Sequence, residues 1–196
     1  MSQHWTNTFI TLCCSALLFA CSNQPPRPAT DTAVTLPRDY ARALEYMRIG
    51  DYPSAIDALQ DFTQGQPDHA GPYLNLGIAY RQSGNLGAAR DALEKVLAIN
   101  PSQPEVHNQL GMLYREQGDF ERALRSYHNA LRLAPDAALA HRNLGILYDL
   151  YLQQPVLALD HYQRFLELEH DDSAEVSNWV VDLERRTRST RASAQP

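Results

Sequence analysis

The chain has 196 residues, a formal net charge of −6 at pH 7 and 44% hydrophobic residues. This length suits a single globular domain or a short repeat array, and the apolar content is sufficient for a buried core. The acidic balance argues against sequence-independent binding to nucleic acid, which requires a positively charged face that displaces counterions.

The first segment of the chain is short and apolar. Residues 9–20 carry no charge and are too few to cross the ~30 Å hydrocarbon core of a bilayer, so they are typical of a signal-peptide core. The segment ends in Leu18-Phe19-Ala20-Cys21, which resembles the lipobox of bacterial lipoproteins. That resemblance implies that residues 1–20 are a signal peptide and that Cys21 carries a covalent lipid. An uncleaved anchor and an ordinary signal peptide are the alternatives.

The lipoprotein resemblance has consequences for location and chemistry. Ser22 follows the modified cysteine, where an aspartate usually marks inner-membrane retention, so the resemblance implies an outer-membrane protein facing the periplasm. All cysteines lie within residues 1–21, so maturation leaves no free thiol, and we expect no cofactor apart from the lipid on Cys21. Residues 21–35 hold the lipidated cysteine and a proline-rich stretch with few apolar residues, which predicts an extended tether.

An internal repeat of 34 residues organises the rest of the chain. It defines four units, 36–69, 70–103, 104–137 and 138–172. Repeats of this kind stack, because one unit alone cannot bury its apolar face. The residues that recur are Gly50, Gly84 and Gly118 in one column, Gly77, Gly111 and Gly145 in a second, and Pro67, Pro101 and Pro135 in a third.

The spacing within the units resembles the tetratricopeptide repeat (TPR). The third unit is nearly complete, with Leu110-Gly111, Tyr114, Gly118, Ala123, Tyr127, Ala130 and Pro135 in the family's positions. The resemblance implies an all-α solenoid of four helix-turn-helix repeats. The residue types agree with it on physical grounds, because apolar residues recur at helical spacing and glycine followed by Asn or Asp supplies a turn.

The fourth unit departs from this pattern. Its turn region, LQQP at residues 152–155, replaces the Gly-Asn or Gly-Asp of earlier units and is one residue longer. Leu150 and Tyr151 are apolar where earlier units are polar. They are expected either to be covered by the next helix or to form a partner-binding patch.

The residues after the fourth unit predict one more helix. Asp172 and Ser173 are suitable capping residues, and residues 173–188 place one apolar face against the last repeat, which predicts a capping helix. Residues 189–196 lack periodicity and predict a disordered tail. The apolar face consists of Val176, Trp179, Val180 and Leu183.

No motif for nucleotide binding, zinc proteolysis or serine hydrolysis occurs in the sequence, so we predict that the chain is not an enzyme. His107 and His141 share one repeat position and invite a metal interpretation. Neighbouring helix pairs lie ~10 Å apart, whereas two ligands of one zinc must each lie ~2 Å from it. We therefore interpret both histidines as packing residues and predict no metal site.

The TPR resemblance also implies a binding surface, because TPR proteins bind peptides or helices in a concave groove. The column that usually holds Asn contains Asn75, Gln109 and Asn143, whose amides suit a ligand backbone. The predicted groove also contains Ile78, Met112 and Ile146 as an apolar floor, Arg81 and Arg115 in one column, and Asn108 and Arg142 in another. This set predicts a ligand with apolar anchors and some acidic character, although the groove could instead be structural and bind nothing.

These features favour a non-enzymatic scaffold that is lipid-anchored to the bacterial outer membrane and binds a protein of an envelope complex, with no nucleic acid and no small-molecule substrate. The resemblance extends to TPR lipoproteins of pilus or secretion assembly and to accessory proteins of TonB-type energy transduction. A cytosolic TPR co-chaperone is the second alternative. The chaperone-type carboxylate clamp, however, requires an Asn where this chain has Ile78, Met112 and Ile146.

Overall fold

The computed structural model describes residues 36–169 and 173–193, so the predicted signal peptide, Cys21 and the tether lie outside the described residues. Within the described ranges the fold is all-α, as predicted. The helices are α1 (Arg38–Ile49), α2 (Tyr52–Gly65), α3 (Ala70–Gln82), α4 (Leu86–Ile99), α5 (Pro104–Glu116), α6 (Phe120–Leu133), α7 (Ala138–Ile146), α8 (Pro155–Leu168) and α9 (Ala174–Ser193).

The helices are arranged as four consecutive pairs, which confirms the predicted four-repeat solenoid. Each repeat packs its first helix against its second, and each second helix packs against the first helix of the next repeat. The first helices of successive repeats, α1, α3, α5 and α7, also contact one another directly. Among the described residues, the second helices of successive repeats make fewer such contacts. The first helices therefore line the inner, concave side of the solenoid, and we call them the inner helices; α2, α4, α6 and α8 are the outer helices.

Glycine makes the turn between the inner and outer helix in the first three repeats. Gly50, Gly84 and Gly118 have φ values of 77°, 83° and 76°, a left-handed conformation that other residues adopt only with strain. The next residue in each repeat caps the outer helix, because its side chain accepts a hydrogen bond from the backbone N–H three residues later. These caps are Asp51, Asn85 and Asp119.

The fourth repeat accommodates its extra residue inside the helix rather than in the turn. Leu147–Tyr151 continue α7 as a π-helical segment, which widens one turn of helix by one residue. The turn then keeps the geometry of the other repeats: Gln154 N–H donates to the Tyr148 carbonyl at 2.8 Å, as Asp119 does to Tyr114 at 2.9 Å. Gln153, with φ 54°, takes the left-handed position that glycine holds elsewhere.

Close packing within each pair depends on a second column of glycines. A Cβ placed on Gly111 would lie 2.5 Å from the Tyr127 ring, and one on Gly145 would lie 2.6 Å from the Tyr162 ring. Both tyrosine side chains are essentially inaccessible to solvent. Only glycine therefore allows the inner helix to pack this closely against the outer helix.

The last helix, α9, closes the apolar end of the array, as the predicted capping helix. Val176 and Leu183 are fully buried, and the Trp179 ring lies 5.3 Å from that of Tyr162. The helix continues to Ser193, five residues past its predicted end at Arg188, because neither proline nor glycine interrupts the intervening sequence. No helix in residues 36–169 or 173–193 combines the length and the apolar character that a bilayer crossing requires.

Candidate functional site

The predicted groove residues lie on the inner helices, in the order that the repeat predicts. Ile78, Met112 and Ile146 are half-buried at equivalent positions of α3, α5 and α7. Met112 and Ile146 pack against the core that α6 to α9 share. These side chains provide an apolar floor along the concave side of the solenoid.

Two of the three amides that we expected to meet a ligand bond within the protein instead. Asn75 Nδ2 donates to the Tyr40 hydroxyl at 2.7 Å, and Asn143 Nδ2 donates to Asn108 Oδ1 at 3.0 Å. In both pairs the donor lies one repeat plus one residue after the acceptor, so the bonds join neighbouring inner helices at equivalent places. Asn75 and Asn143 thus join neighbouring inner helices through their Nδ2 groups, and their predicted contact with a ligand stays a prediction.

Gln109 occupies the same column, and its neighbour at the equivalent place is Leu74. A leucine side chain cannot form the hydrogen bond that the other two pairs make. Gln109 Oε1 is buried, and nothing in residues 36–169 or 173–193 donates a hydrogen bond to it. Gln109 is therefore the amide of this column that makes no bond between inner helices and whose buried oxygen lacks a donor among the described residues.

The arginines of the predicted groove also differ in availability. Arg81 forms an ion pair of 2.6 Å with Glu116 of the next inner helix. Arg142 lies 3.5 Å from Glu175 and over the Trp179 ring, at 5.5 Å from its centroid, so it holds α9 in place. Both arginines therefore have partners within the protein, and their predicted contact with a ligand stays a prediction.

Arg81 pairs with Glu116, which lies 35 positions after it. The residue 35 positions after Arg115 is Leu150, so Arg115 has no equivalent acidic partner. Its guanidinium lies 6.0 Å from the centre of the Tyr151 ring, at the limit of a cation–π contact. Arg115 Nη1 is buried without a hydrogen-bond acceptor among the described residues.

Burial raises the pKa of the Tyr127 hydroxyl well above its usual range, so this group of the core beneath α5 stays protonated.

Gln109, Met112 and Arg115 lie three residues apart on α5 and so share one side of that helix. We call these three residues the α5 groove face. It offers a hydrogen-bond acceptor, an apolar contact and a cationic donor in a row. These three residues take no part in the hydrogen bonds and ion pairs that engage Asn75, Asn143, Arg81 and Arg142 within the described structure.

A cleft of about 510 Å³ adjoins the α5 groove face at the amino-terminal ends of α5 and α7. Asn108 and Gln109, both predicted groove residues, line it. The cleft is also lined by residues that the sequence pattern did not select, among them Glu105, Leu139, Leu168 and Glu169. Glu105 and Leu139 stand at the second position of their repeats, so extending the groove prediction to that column would have found them.

Two histidines of the fourth repeat, His141 and His161, pack against each other. His141 Nδ1 lies 2.9 Å from His161 Nδ1, and His141 Nε2 lies 3.0 Å from the Pro135 carbonyl. Burial, followed by the charges of His141 and His128, lowers the pKa of His161 to about 4. Within the described ranges, no three His, Cys, Asp or Glu side chains are grouped so that they could hold a metal ion.

The π-helical segment exposes apolar side chains. Leu150 is 66% exposed and Tyr151 is 43% exposed, so α9 does not cover them. Tyr151 contacts the Phe120 ring, with the two ring centres 5.0 Å apart. The sequence left open whether the next helix covers Leu150 and Tyr151 or whether they form an exposed patch, and in the structure they are exposed.

Comparison with known families agrees with this geometry. Tetratricopeptide repeat models match residues 40–104 and 92–125, and a TPR repeat model matches residues 111–150, so the three together span 40–150. The chain is a tetratricopeptide repeat protein. The TPR fold indicates a scaffold for protein–protein interaction, because TPR domains generally bind protein partners or peptides. A search of curated protein sequences gives no match.

Solved TPR structures resemble the array at modest sequence identity. TTC0263, a thermophilic TPR protein of Thermus thermophilus, is 26% identical with a TM-score of 0.62, over 77% of this chain and 78% of its own. Pseudomonas aeruginosa pilF is 22% identical with a TM-score of 0.69, over 77% and 68%. The first TPR of Spaghetti (RPAP3), bound to the HSP90 peptide SRMEEVD, is 23% identical with a TM-score of 0.56, over 61% and 93%.

Proposed function

We propose that this TPR protein is a non-enzymatic scaffold that binds a polypeptide segment of a partner protein across the α5 groove face. The observation that carries the proposal is that two of the four buried polar atoms without partners in the described residues, Gln109 Oε1 and Arg115 Nη1, belong to the α5 groove face; the other two are Arg81 Nε and the Tyr127 hydroxyl. Leaving such groups unsatisfied costs ~1–3 kcal/mol each, so folded proteins seldom retain them without a reason. A bound peptide would satisfy both.

The spacing of the α5 groove face suits a polypeptide. Three residues of helix rise ~4.5 Å, so Gln109 and Arg115 are separated by ~9 Å along α5, with Met112 between them. An extended peptide covers that distance in about three residues. Its backbone N–H would donate to Gln109, an apolar side chain would contact Met112, and a carboxylate or carbonyl oxygen would accept from Arg115.

We further propose that the scaffold is a lipoprotein of the bacterial cell envelope, attached to the outer membrane through Cys21 and facing the periplasm. The support is the uncharged segment 9–20, the lipobox-like sequence ending at Cys21 and the proline-rich residues that follow. One acyl chain binds a membrane marginally and two bind it stably. On this proposal the partner is a protein of an envelope complex.

The groove proposal is tested by capture of a partner with two matched variants. Gln109→Ala with Arg115→Ala removes both polar groups of the α5 groove face. Gln64→Ala with Arg125→Ala removes the same residue types from exposed positions of the outer helices α2 and α6. In quantitative mass spectrometry after cross-linking in intact cells, we expect proteins that the control variant retains and the groove variant loses. Equal capture by both variants would contradict binding at the groove.

The anchoring proposal has its own test. Cys21→Ser should move the protein from the membrane fraction to the soluble fraction while the helical circular-dichroism spectrum is unchanged. Metabolic labelling with radioactive palmitate should mark the wild-type chain and not the variant. An unlabelled wild-type chain, or a variant that remains bound to membranes, would contradict lipid attachment at Cys21.

A further inference from the structure

The cleft beside the α5 groove face has an acidic rim. Glu105 and Glu169 both line it, and in the part of the chain that the structure describes no ion pair or side-chain hydrogen bond engages either carboxylate. A third acid of the lining, Asp136, is paired with Arg164 at 2.6 Å. Among the described residues, no Arg, Lys or His lines the cleft, so its rim has a net negative charge.

The floor of the cleft holds a buried side-chain amide, that of Asn108, whose N–H donors have no acceptor among the described residues. Asn108 is 7% exposed, and it accepts a hydrogen bond from Asn143 through Oδ1. Its Nδ2 donates to no residue in the described ranges. Beside it, Gln109 presents the acceptor described above. An amide donor next to an amide acceptor matches the C=O and N–H of a peptide backbone.

The walls of the cleft are largely apolar. Pro104, Ala137, Ala140 and Leu168 contribute, and Leu139 adds a side chain that is 59% exposed. Apolar walls with an acidic rim suit a long cationic side chain, whose methylene stem packs on apolar surface while its charged end reaches the carboxylates.

We propose that the cleft receives a lysine or arginine side chain of the partner segment, with the adjacent backbone held by Asn108 and Gln109 and the charge held by Glu105 and Glu169. This inference rests on the proposed function, because Gln109 belongs to both the cleft and the α5 groove face. It differs from the sequence expectation of an acidic ligand: Arg81 and Arg142 are occupied by internal contacts, which leaves Arg115 as the cationic end of the groove.

The groove is therefore negative at one end of α5 and positive at the other. Glu105 and Arg115 are ten positions apart, which corresponds to ~15 Å along the helix. A partner segment that bridges both ends would carry a basic residue and, four or five extended residues away, an acidic one. Reversing such a segment would place like charges together, so the arrangement also fixes the direction in which the segment binds.

The test is a selection of phage-displayed random dodecapeptides on the full chain in detergent, followed by affinity measurements on the selected peptides. Three variants are compared with the wild type. The groove variant is Gln109→Ala with Arg115→Ala, the rim variant is Glu105→Gln with Glu169→Gln, and the control variant is Glu94→Gln with Glu121→Gln on the outer helices. Rim and control variants lose the same formal charge, so a general electrostatic effect would appear in both.

We expect that peptides lost by the groove variant are enriched in Lys or Arg. The rim variant should bind them about fivefold more weakly than the wild type, the control variant should bind them equally well, and the difference should shrink at high salt. Groove-dependent peptides that lack basic residues, or that the rim variant binds as well as the wild type, would overturn this inference and leave the proposed function standing. A selection that gives no groove-dependent peptide would overturn both.

Discussion

The side-chain amide of Asn143 donates a hydrogen bond of 3.0 Å to Asn108 Oδ1 across the contact between α7 and α5, and both residues are more than nine-tenths buried. The equivalent bond from Asn75 to Tyr40 joins α3 to α1. Between these two contacts, Leu74 and Gln109 form no such bond within the described structure. The series of side-chain hydrogen bonds between neighbouring inner helices is therefore missing between α3 and α5, at Gln109 of the α5 groove face.

This arrangement predicts that equivalent groove residues have different roles. Asn143→Ala leaves Asn108 Oδ1 buried without its donor, so we expect the free energy of unfolding to fall by about 1–3 kcal/mol. Gln109→Ala breaks no such bond and removes an acceptor that has no donor in the described structure, so it should not lower the free energy of unfolding. Urea denaturation of both variants measures the difference, and equal losses would contradict the assignment of Asn143 to structure and Gln109 to binding.

The close approach at Gly111 predicts a second effect on stability. Gly111→Ala adds a methyl group against the buried Tyr127 ring, and overpacking of this kind costs ~1–3 kcal/mol, offset by ~1 kcal/mol of helix propensity. We expect a net loss of up to about 2 kcal/mol. Gly87→Ala is the control, because its nearest neighbour is Asn85 Oδ1 at 4.0 Å, and it should cause no loss. A stabilised Gly111→Ala variant would show that the helices are packed less closely.

The fourth turn predicts a substitution that increases stability. Gln153 has φ 54°, a conformation that costs a non-glycine residue ~1 kcal/mol, and Gln153→Gly should raise the free energy of unfolding by about 0.5–1 kcal/mol. Gln117→Gly in the preceding repeat serves as the control, because Gln117 has an ordinary φ of −78°. It should lower stability by about 0.5–1 kcal/mol. Destabilisation by both variants would contradict the left-handed turn at Gln153.

The buried His161 predicts a pH dependence of stability. Its pKa is about 4 in the folded protein, against 6.5 for an unperturbed histidine, so between these values the unfolded state binds more protons. The stabilisation is complete above pH 6.5 and is lost as the pH falls toward 4. With allowance for solvent screening of a partly exposed ring, we expect a loss on the order of 1–2 kcal/mol.

The matching experiment compares denaturation midpoints between pH 7 and pH 4.5. His161→Phe should remove this part of the pH dependence, because phenylalanine does not titrate. Tyr148→Phe should keep it, because the ring that stacks on His161 at 5.6 Å is retained. Wild type and His161→Phe with the same pH dependence would contradict the lowered pKa of His161.

The repeat period predicted most of the fold from the sequence. Glycine and proline at intervals of 34 residues predicted the helix pairs and turns, because the left-handed turn and the close approach each require glycine. The period could not place the extra residue of the fourth unit. Position 152 falls in line with Gly118, but the π-helical segment shifts the left-handed residue to Gln153.

The site was predicted less completely, because its chemistry depends on contacts between repeats. A column of the repeat shows that Asn75, Gln109 and Asn143 are equivalent. It does not show that their neighbours are Tyr40, Leu74 and Asn108, which lie one position out of register. The acidic rim depends on Glu169, which follows α8 and reaches the cleft only through the folded packing of the last repeat.

The central claim, that the α5 groove face contacts a partner polypeptide, is tested most directly by site-specific photo-cross-linking in intact cells. A benzoylphenylalanine at Met112 is compared with one at Arg125, which is exposed on the outer helix α6. We predict a discrete protein adduct from position 112 that disappears when Gln109 and Arg115 are replaced by alanine, and none from position 125. Adducts from position 125 with none from position 112 would contradict the claim.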